Sequence, residues 1–488
     1  MKNFFHIFTP PPDAEMITDP DKVKSQYKYW RTRQLYSTFI GYAVFYFVRK
    51  NIPLALPVME NTLGISKASL GLFLTLHDLL YGVAKFLNGI LGDRANPRYF
   101  MAVGLLLSAI MNILFGLSTG LYTMGVVWML NGWFQGMGFP PCARILSHWF
   151  GQKERGTKWA IWNTSHQVGA AIILVFAGYL AKYYGWQSCF FVPAVISIAV
   201  AIFLAERLRD TPGSLGLPPV EVYTAPTDEE FLLRLRTGYL DVPFGKEETS
   251  EKKEPGKEED EIPFKEFLMK YVFSNVYIWI ICFANFFVYV IRYIFMNWAP
   301  TFLNEMRGIS LVQAGGMTAG FEVAGLVGSL LAGWLTDRYF KSKRGPVCVI
   351  YMVFTVIAIF IFWKLPAGFP WLDTLMLFLI GFFIYGPQFL VGIMTVDIAT
   401  KRAAATAIGL TGFFGYMSGI VSGWGLGWVV DHYGWDGGFF LLVLCSVIAT
   451  LFFAFTWNVK GEDCGTHMQK DTQKKGLFFI LHLRLSDV

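Results

Sequence analysis

Apolar stretches of roughly 20 residues recur along this chain of 488 residues, and short polar turns separate them. A stretch of that length forms one α-helix that crosses the ~30 Å hydrocarbon core of a bilayer. Twelve such spans are predicted, at residues 35–57, 69–91, 99–119, 121–146, 159–181, 187–205, 273–301, 312–335, 346–363, 370–394, 403–430 and 437–457. The pattern therefore predicts an all-α protein embedded in the lipid bilayer, with both termini on the same side.

The composition agrees with a membrane location, since 54% of the residues are hydrophobic and the mean hydropathy is +0.44. Basic residues precede the first span and then fill every second loop, at Arg94, Arg98, Lys153, Arg155, Arg338, Arg344, Lys401 and Arg402. Basic loops mark the cytoplasmic side, so both termini are predicted to be cytoplasmic. The net charge of +6 reflects this topology, and nucleic-acid binding is not inferred from it.

The six cysteines lie apart from one another, and five of them are in or beside predicted spans. Their spacing fits neither a metal site nor a disulfide framework, so we expect reduced cysteines that pack in the interior. The sequence also shows no cluster of metal ligands and no spacing of a nucleophile and a base. We therefore expect no metal, no cofactor and no enzymatic activity.

One long polar segment, residues 206–270, interrupts the apolar pattern after the sixth span. It contains Pro218-Pro219 and a charged run from Lys246 to Glu261, which together predict a mobile cytoplasmic linker. The predicted organisation is a cytoplasmic N-terminal segment at 1–34, a six-helix half at 35–205, the linker at 206–270, a second six-helix half at 271–457 and a cytoplasmic tail at 458–488.

The two halves repeat each other in sequence. Tyr46-Phe47-Val48-Arg49 returns 243 residues later as Tyr289-Val290-Ile291-Arg292. Further matches at offsets of 243 or 244 are Pro57 with Pro300, Ser66 with Ser310, Gly71 with Gly315, Asp78 with Glu322, and Gly89–Arg94 with Gly333–Arg338. The chain is therefore predicted to be a parallel duplication of one six-helix unit.

Arg49 and Arg292 are the strongest candidates for function. An arginine at mid-membrane costs about 2.5 to 3.5 kcal/mol, so two at matching places indicate a shared task, most simply the binding of an anion. Phosphate fits this chemistry, because a guanidinium presents a planar fork to two oxygens. The alternative is that each arginine forms a structural pair with a carboxylate, for which Asp78, Glu322 and Asp397 are available.

Other polar side chains of the spans fall on shared helix faces. Helical spacing groups Tyr42, Tyr46 and Arg49; Asn285, Tyr289 and Arg292; Asp78, Tyr81 and Lys85; and Trp159, Asn163 and His166. Substrate contact is one interpretation of His166, and a satisfied core histidine is the other. Lys85 has either a gating or a structural role, and Lys50 is expected to pair with a carboxylate such as Glu322. Contacts at helix ends are predicted for the turns Asp93-Arg94 and Asp337-Arg338.

Five motifs resemble a known family. They are Gly41–Asn51, Gly92–Arg98, Gln135–Cys142, Trp162–His166 and Tyr385–Pro387. The chain resembles the organophosphate:phosphate antiporters of the major facilitator superfamily, most closely the bacterial hexose-phosphate branch with its receptor-like member that senses external glucose 6-phosphate. The resemblance implies the major facilitator fold, with twelve transmembrane helices in two six-helix halves and a substrate site between the halves near the midplane.

The resemblance also implies a function. Such a carrier exchanges external sugar phosphate, here expected to be glucose 6-phosphate, for internal inorganic phosphate by alternating access across the bacterial inner membrane. Arg49 and Arg292 would hold the phosphate group from opposite walls of the cavity. The other residues carried over as binding or coupling contacts are His166, Lys85, Tyr46, Asn163, Tyr289, Tyr385 and Tyr416. This chain has Asn297 where some relatives carry an acid, which removes a possible partner of Lys50.

The same residues allow alternatives to a hexose-phosphate carrier. A receptor of the same fold would bind external hexose phosphate and signal to a membrane histidine kinase, and a glycerol-3-phosphate:phosphate antiporter would use the same arginines. A membrane phosphatase is disfavoured, because no nucleophile lies at a suitable spacing from a base. The expected partners are organic phosphate, inorganic phosphate and the lipid bilayer, without nucleic acid, and the expected state is a monomer.

Overall fold

The computed structural model describes residues 8–225, 227–237, 272–340, 343–399 and 404–459, without the side chains of residues 86, 93, 94, 152, 153, 155–157, 160 and 404–406. These ranges are almost entirely helical and contain no β-strand. The all-α class predicted from the apolar pattern is confirmed.

Eleven α-helices occupy the described residues before 238. They are α1 (Pro20–Phe45), α2 (Ile52–Leu63), α3 (Lys67–Arg94), α4 (Pro97–Leu117), α5 (Leu121–Gln135), α6 (Phe139–Trp149), α7 (Gln152–Asn163), α8 (Ser165–Tyr184), α9 (Ser188–Arg207), α10 (Val220–Tyr223) and α11 (Asp228–Thr237). Asp19 caps α1, since its side chain accepts hydrogen bonds from the N–H groups of Asp21 and Lys22. Ser66 caps α3 by accepting from the N–H group of Ser69.

Six more α-helices occupy the described residues from 272 onward. They are α12 (Val276–Arg307), α13 (Leu311–Arg338), α14 (Arg344–Lys364), α15 (Pro370–Ile398), α16 (Ala404–Met417) and α17 (Leu426–Phe455), with a π-helical turn at Ile420–Gly425 before α17. Gly434 has a φ of 66° inside α17, a backbone conformation that glycine adopts readily. It therefore divides this long element near the boundary predicted between the last two spans.

Nine helical segments of the described ranges are long and apolar enough to cross a membrane. The last, Ala407–Phe455, covers both of the last two predicted spans. The first and fourth predicted spans are helical but interrupted, at residues 46–51 and 136–138, and do not meet that criterion. Every one of the twelve predicted segments is thus helical over most of its length, while their number as membrane spans stays a prediction.

The chain divides into two compact units. The first consists of Met1–Pro255, Met296–Glu322 and Gly423–Asp431, and the second of Gly256–Phe295, Val323–Ser422 and His432–Val488. In the first unit α9 packs along α4 and α3 packs along α5, and in the second α14 packs along α15. The domain boundaries proposed from the sequence stay a prediction.

The described part of the predicted linker, residues 206–225 and 227–237, forms part of the first unit. Asp210 is buried, and Arg144 donates two hydrogen bonds to its carboxylate, at 2.9 and 3.0 Å. Trp149 donates to the carbonyl oxygen of the same aspartate at 2.9 Å, and Leu217 and Val220 lie in the hydrophobic core. The expectation of a mobile linker is wrong for these residues, because an ion pair and buried apolar side chains hold them. The rest of the linker, and the tail from residue 460 on, lie outside the described residues.

The cysteines behave as packing residues where the structure describes them. Cys142, Cys189, Cys282, Cys348 and Cys445 are buried and carry free thiols. The sixth, Cys464, lies outside the described ranges.

Candidate functional site

Arg49 lies just beyond the end of a helix and not within one. α1 ends at Phe45, and turns at residues 46–51 separate it from α2. Pro53, in the first turn of α2, has no N–H group, and in a continuous helix its ring would clash with the carbonyl group of Arg49. The interruption therefore follows from the sequence, and carbonyl groups in this turn need partners other than helical N–H groups.

Three buried asparagines bind the interrupted segment. Asn112 and Asn131 each donate from Nδ2 to the carbonyl oxygen of Val48, both at 2.9 Å. Asn51 donates from Nδ2 to Asn112 Oδ1 at 2.8 Å. All three asparagines are fully buried. They fix the backbone of this turn, and sequence reasoning missed them because isolated asparagines in apolar helices carry no periodic signal.

The Arg49 side chain is buried against polar and aromatic groups. Its Nη2 lies 3.9 Å from Asp78 Oδ1, which is within ion-pair distance but beyond hydrogen-bond distance. The guanidinium carbon lies 3.9 Å from the centre of the Tyr81 ring and 5.6 Å from that of Tyr46, within cation–π range. Asp78 is therefore a carboxylate partner of the kind considered from the sequence, but it does not close a two-point bond on the guanidinium.

His77 holds the carboxylate of Asp78. Its Nδ1 lies 3.0 Å from Asp78 Oδ1, and the imidazole N–H is the donor because an ionised carboxylate only accepts. The imidazole stacks on Tyr81 and on Trp128, with ring centres 6.3 and 5.4 Å away. His77 was not among the residues predicted from the sequence, although its spacing of four residues from Tyr81 placed both on one helix face.

His166 lies next to Tyr46, with ring centres 5.7 Å apart. The histidine is half-buried, and its Nδ1 donates to the carbonyl oxygen of Asn163 across the break between α7 and α8. The Asn163 side chain is exposed. Lys85 is half-buried, with its Nζ 4.8 Å from the centre of the Phe139 ring. Tyr46 thus brings His166 into the group around Arg49.

Arg292 lies within the uninterrupted helix α12. Its Nε donates to the hydroxyl group of Tyr385 at 3.0 Å, and its guanidinium carbon lies 4.6 Å from the centre of that ring. The ring centres of Tyr289 and Tyr293 are 5.9 and 5.8 Å away. Arg292 is 6% exposed, as Arg49 is. The predicted contacts Tyr289 and Tyr385 are therefore both beside this arginine.

Further polar groups adjoin Tyr289. Gln388 donates to its hydroxyl group at 3.5 Å, and the Tyr416 ring centre is 6.3 Å away. Asn285, on the same helix, donates from Nδ2 to the carbonyl oxygen of Thr411 at 2.8 Å. The second unit therefore groups Arg292 with Tyr289, Tyr385 and Tyr416, and it adds Gln388, which was not predicted. The role of these residues in substrate binding stays a prediction.

Lys50 follows Arg49 in the interrupted segment and is also buried. Its Nζ donates to Asn297 Oδ1 at 3.3 Å. Glu322, the partner proposed for it from the sequence, is fully buried in α13, and their pairing stays a prediction. The amide of Asn297 thus accepts a hydrogen bond from this lysine without adding a negative charge.

The charged turn at Asp337-Arg338 lies at the C-terminal end of α13, where both side chains are exposed. Asp337 accepts a hydrogen bond from Arg344 Nη1 at 2.6 Å, and Arg344 Nε donates to Asp397 at 3.3 Å. These contacts join three helix ends, and a gating role stays a prediction. The side chains of the matching turn, Asp93 and Arg94, lie outside the described residues.

A charged cluster that was not predicted joins α2, α3 and α12. Lys67 Nζ bonds to Glu60 and lies 3.1 Å from Glu305 Oε1. Asp431 accepts hydrogen bonds from the N–H groups of Lys67 and Ala68, at 3.2 and 2.8 Å, in the first turn of α3. No local pattern reveals this cluster, because Glu305 and Asp431 lie more than 200 residues from Lys67 along the chain.

Comparison with family models decides the identity of this fold. The model of the Major Facilitator Superfamily matches residues 38–423. The chain belongs to this superfamily. This match confirms the major facilitator fold that the sequence motifs led us to expect.

Curated relatives place this major facilitator protein in the organophosphate:phosphate antiporter family. The probable hexose phosphate transport protein of Chlamydia trachomatis is 42% identical over 94% of this chain and 98% of its own length. The glycerol-3-phosphate transporter of Bacillus subtilis is 42% identical over 93% and 98%, and the membrane sensor protein UhpC of Escherichia coli is 37% identical over 90% and 95%.

Solved structures show the same fold. A bacterial homologue of the human lysosomal transporter Spinster, in an inward-facing and unoccupied conformation, gives a TM-score of 0.69 at 15% identity over 89% of this chain and 98% of that one. The nucleoside transporter NupG gives a TM-score of 0.62 at 15% identity over 87% and 100%. At such low identity these likenesses establish the fold alone.

The family and its relatives establish the general function. The chain belongs to a superfamily of multi-pass membrane transporters, and it is not an enzyme. The arginine groups described above are the candidate sites for the phosphate moiety.

Proposed function

We propose that this protein takes up an external sugar phosphate, with glucose 6-phosphate as the first candidate, in exchange for internal inorganic phosphate. The observation that carries the proposal is the pair of buried arginines at matching places of a sequence repeat, Arg49 and Arg292. Neither arginine would be retained within a predominantly apolar span at a cost of about 2.5 to 3.5 kcal/mol without a strong reason. The 42% identity to a probable hexose phosphate transport protein supports the sugar phosphate.

The chemistry of each arginine supports phosphate as the anion. A guanidinium donates two parallel hydrogen bonds to phosphate oxygens, and such charge-assisted bonds are strongest where water is excluded. Around each arginine lie tyrosine rings that shield it from water and orient it. Both arginines are assigned to the binding of the phosphate group, because the sequence repeat gives them equivalent positions in its two halves.

The remaining candidate contacts take their roles from this assignment. Tyr385 orients the Arg292 guanidinium through its hydroxyl group, and His166 lies beside Tyr46 near Arg49. The other residues assigned to substrate binding are Lys85, Asn163, Tyr289 and Tyr416. The neutral groups of this set, Asn163, Tyr289 and Tyr416, would face the sugar. Their geometry would then select the organic part of the ligand.

Exchange follows from the charge of the site. Two guanidinium groups without an anion would carry unbalanced charge through the dry middle of the conformational change, which costs several kcal/mol. A bound phosphate ester or inorganic phosphate cancels most of that charge. The loaded protein therefore reorients faster than the empty one, and outward movement of phosphate drives inward movement of the sugar phosphate.

The proposed setting is the inner membrane of a bacterial cell, with both termini cytoplasmic. The alternation of basic and neutral loops supports this orientation. The transporter is proposed to act as a monomer, since each chain contains both arginines and both halves.

Two other functions are favoured by particular relatives. The 37% identity to a membrane sensor protein supports a receptor that binds hexose phosphate and signals to a membrane histidine kinase. The 42% identity to a glycerol-3-phosphate transporter supports a smaller organic substrate. All three functions use the same phosphate-binding arginines, so transport assays must separate them.

The test is counterflow in proteoliposomes. Vesicles loaded with inorganic phosphate should take up labelled glucose 6-phosphate rapidly, whereas vesicles without internal phosphate should take up little. Equal uptake by both would reject exchange, and binding without any exchange would favour the sensor. Stronger competition by glycerol 3-phosphate than by glucose 6-phosphate would reassign the substrate.

A further inference from the structure

Asp78 places a buried negative charge next to an arginine that the proposed function reserves for phosphate. Its Oδ1 is 3.9 Å from Arg49 Nη2, and both residues are more than nine-tenths buried. We propose that Asp78 is an internal counter-ion, which balances Arg49 when no ligand is bound and opposes phosphate when it binds. The inference rests on the proposed function and names the residue that sets how tightly that function couples influx to efflux.

The carboxylate is held in place by groups that do not belong to the arginine. His77 Nδ1 lies 3.0 Å from the same Oδ1, and the imidazole stacks on Trp128 of α5. A fixed imidazole leaves the carboxylate little freedom to move towards or away from Arg49. His77 is therefore a positioning residue, acting on the ligand only through Asp78.

The distance between the two charges leaves room for a ligand. A closed salt bridge has N–O distances of about 2.7 to 2.9 Å, and the 3.9 Å separation is clearly longer. The guanidinium has five N–H donors, so phosphate can bind part of this fork while the carboxylate remains nearby. Phosphate and carboxylate then repel each other across one cation, which lowers the affinity for phosphate.

The same charge affects the empty protein. Arg49 and the buried Lys50 carry two positive charges, and Asp78 supplies one negative charge in their surroundings. It lowers the charge that must cross the low-dielectric interior when no phosphate is bound. The wild-type protein should therefore show a slow net efflux of phosphate that a carrier without this carboxylate would lack.

The experiment measures two quantities in phosphate-loaded proteoliposomes, the KM for external inorganic phosphate in exchange and the net efflux of labelled phosphate into phosphate-free buffer. Asp78→Asn removes the charge and keeps the shape. We expect the KM to fall about tenfold, because the substitution removes one negative charge close to the negatively charged phosphate. Net efflux should fall below about one tenth of the wild-type rate. A structural residue would instead raise the KM or abolish exchange when replaced.

Companion variants identify the cause. Asp78→Glu keeps the charge and should retain a KM and a net efflux within about threefold of wild type, and it also tests the proposal if Asp78→Asn does not fold. As a single substitution, His77→Gln should alter the KM for phosphate. In the Asp78→Asn background it should have no further effect, because His77 acts through the carboxylate. Asp373→Asn replaces another buried aspartate, in the first turn of α15, and should leave the KM unchanged.

Several outcomes would overturn the inference. They are an unchanged or raised KM in Asp78→Asn, an unchanged net efflux, or equal behaviour of the Asn and Glu variants. If the wild-type protein performs no exchange at all, the proposed function fails instead. Equilibrium binding of labelled glucose 6-phosphate to the detergent-solubilised protein then still tests the counter-ion, since Asp78→Asn should bind about tenfold more tightly.

Discussion

Arg49 and Arg292 occupy equivalent places in the sequence repeat, yet their backbones differ. The segment around Arg49 is interrupted between α1 and α2, whereas Arg292 lies in a helix that continues from Val276 to Arg307. Pro53 explains the interruption, and the residue 243 positions later is Met296, which a helix accommodates. The repeat therefore keeps an arginine at the matching place, while one proline changes the backbone that presents it.

The surroundings of the two arginines differ as well. Arg49 faces a carboxylate, Asp78, whose position is set by His77. Arg292 donates to a neutral hydroxyl group, that of Tyr385. Symmetry in sequence therefore does not imply an equal charge around the two arginines. They should respond differently to the same substitution.

The largest expected effect tests that difference directly. Arg292→Lys should lower the rate of phosphate counterflow about 100-fold or more, because a lysine cannot reproduce the two-point fork. Arg49→Lys should also be severely impaired, but less so, since a lysine can still pair with Asp78. Initial rates in proteoliposomes check this, with protein content matched by immunoblot. Normal exchange by both variants would remove the arginines from the site.

An intermediate effect concerns the backbone break beside Arg49. Asn112→Leu removes one of the two donors to the Val48 carbonyl group and one of the two acceptors of Asn51, so each of these buried groups loses a hydrogen bond. The cost is expected to be about 2 to 3 kcal/mol of folding free energy. The midpoint of thermal unfolding in detergent measures it.

The matched control is Thr355→Val in α14. The Thr355 hydroxyl donates to the carbonyl oxygen of Tyr351 within its own helix, at 2.9 Å. Its loss should lower the unfolding midpoint clearly less than Asn112→Leu does. An equal loss of stability in the two variants would contradict a special role for the asparagines.

The smallest expected effect concerns the aromatic neighbours of the two arginines. Tyr385→Phe removes the hydroxyl acceptor of Arg292 and should raise the KM for phosphate about fivefold, which corresponds to about 1 kcal/mol, the typical net contribution of one hydrogen bond. Tyr81→Phe keeps the ring that faces Arg49 and should change the KM less than about twofold. A larger effect at Tyr81 than at Tyr385 would reverse the comparison.

Much of this organisation could be predicted from the sequence. The length of the apolar runs predicted the helices, and the repeat singled out Arg49 and Arg292. The carboxylates within the spans made the pairing of an arginine with Asp78 one open alternative. These features are encoded locally, in runs of about 20 residues or in helical spacing, so they can be read without contacts. The family resemblance rested on equally local motifs and is confirmed.

Other features could not be predicted, because their partners are far apart in sequence. Asn131 reaches Val48 from another helix, Lys67 meets Glu305, and Arg144 binds Asp210 in a segment whose polar composition suggested a mobile linker. Composition describes the average solvation of a segment. It does not record whether a particular aspartate has an arginine to pair with.

The sequence by itself determined where the apolar helices lie, that the chain is duplicated, and that each half carries an arginine at the matching place. These properties depend on the transfer of side chains from water to lipid and on the helical period, both of which are local. Only the tertiary structure decided that Arg49 lies beside a carboxylate held by histidine and Arg292 beside a tyrosine hydroxyl. The charge around each arginine is a sum over neighbours from several helices, and the packing of those helices sets the distances in that sum.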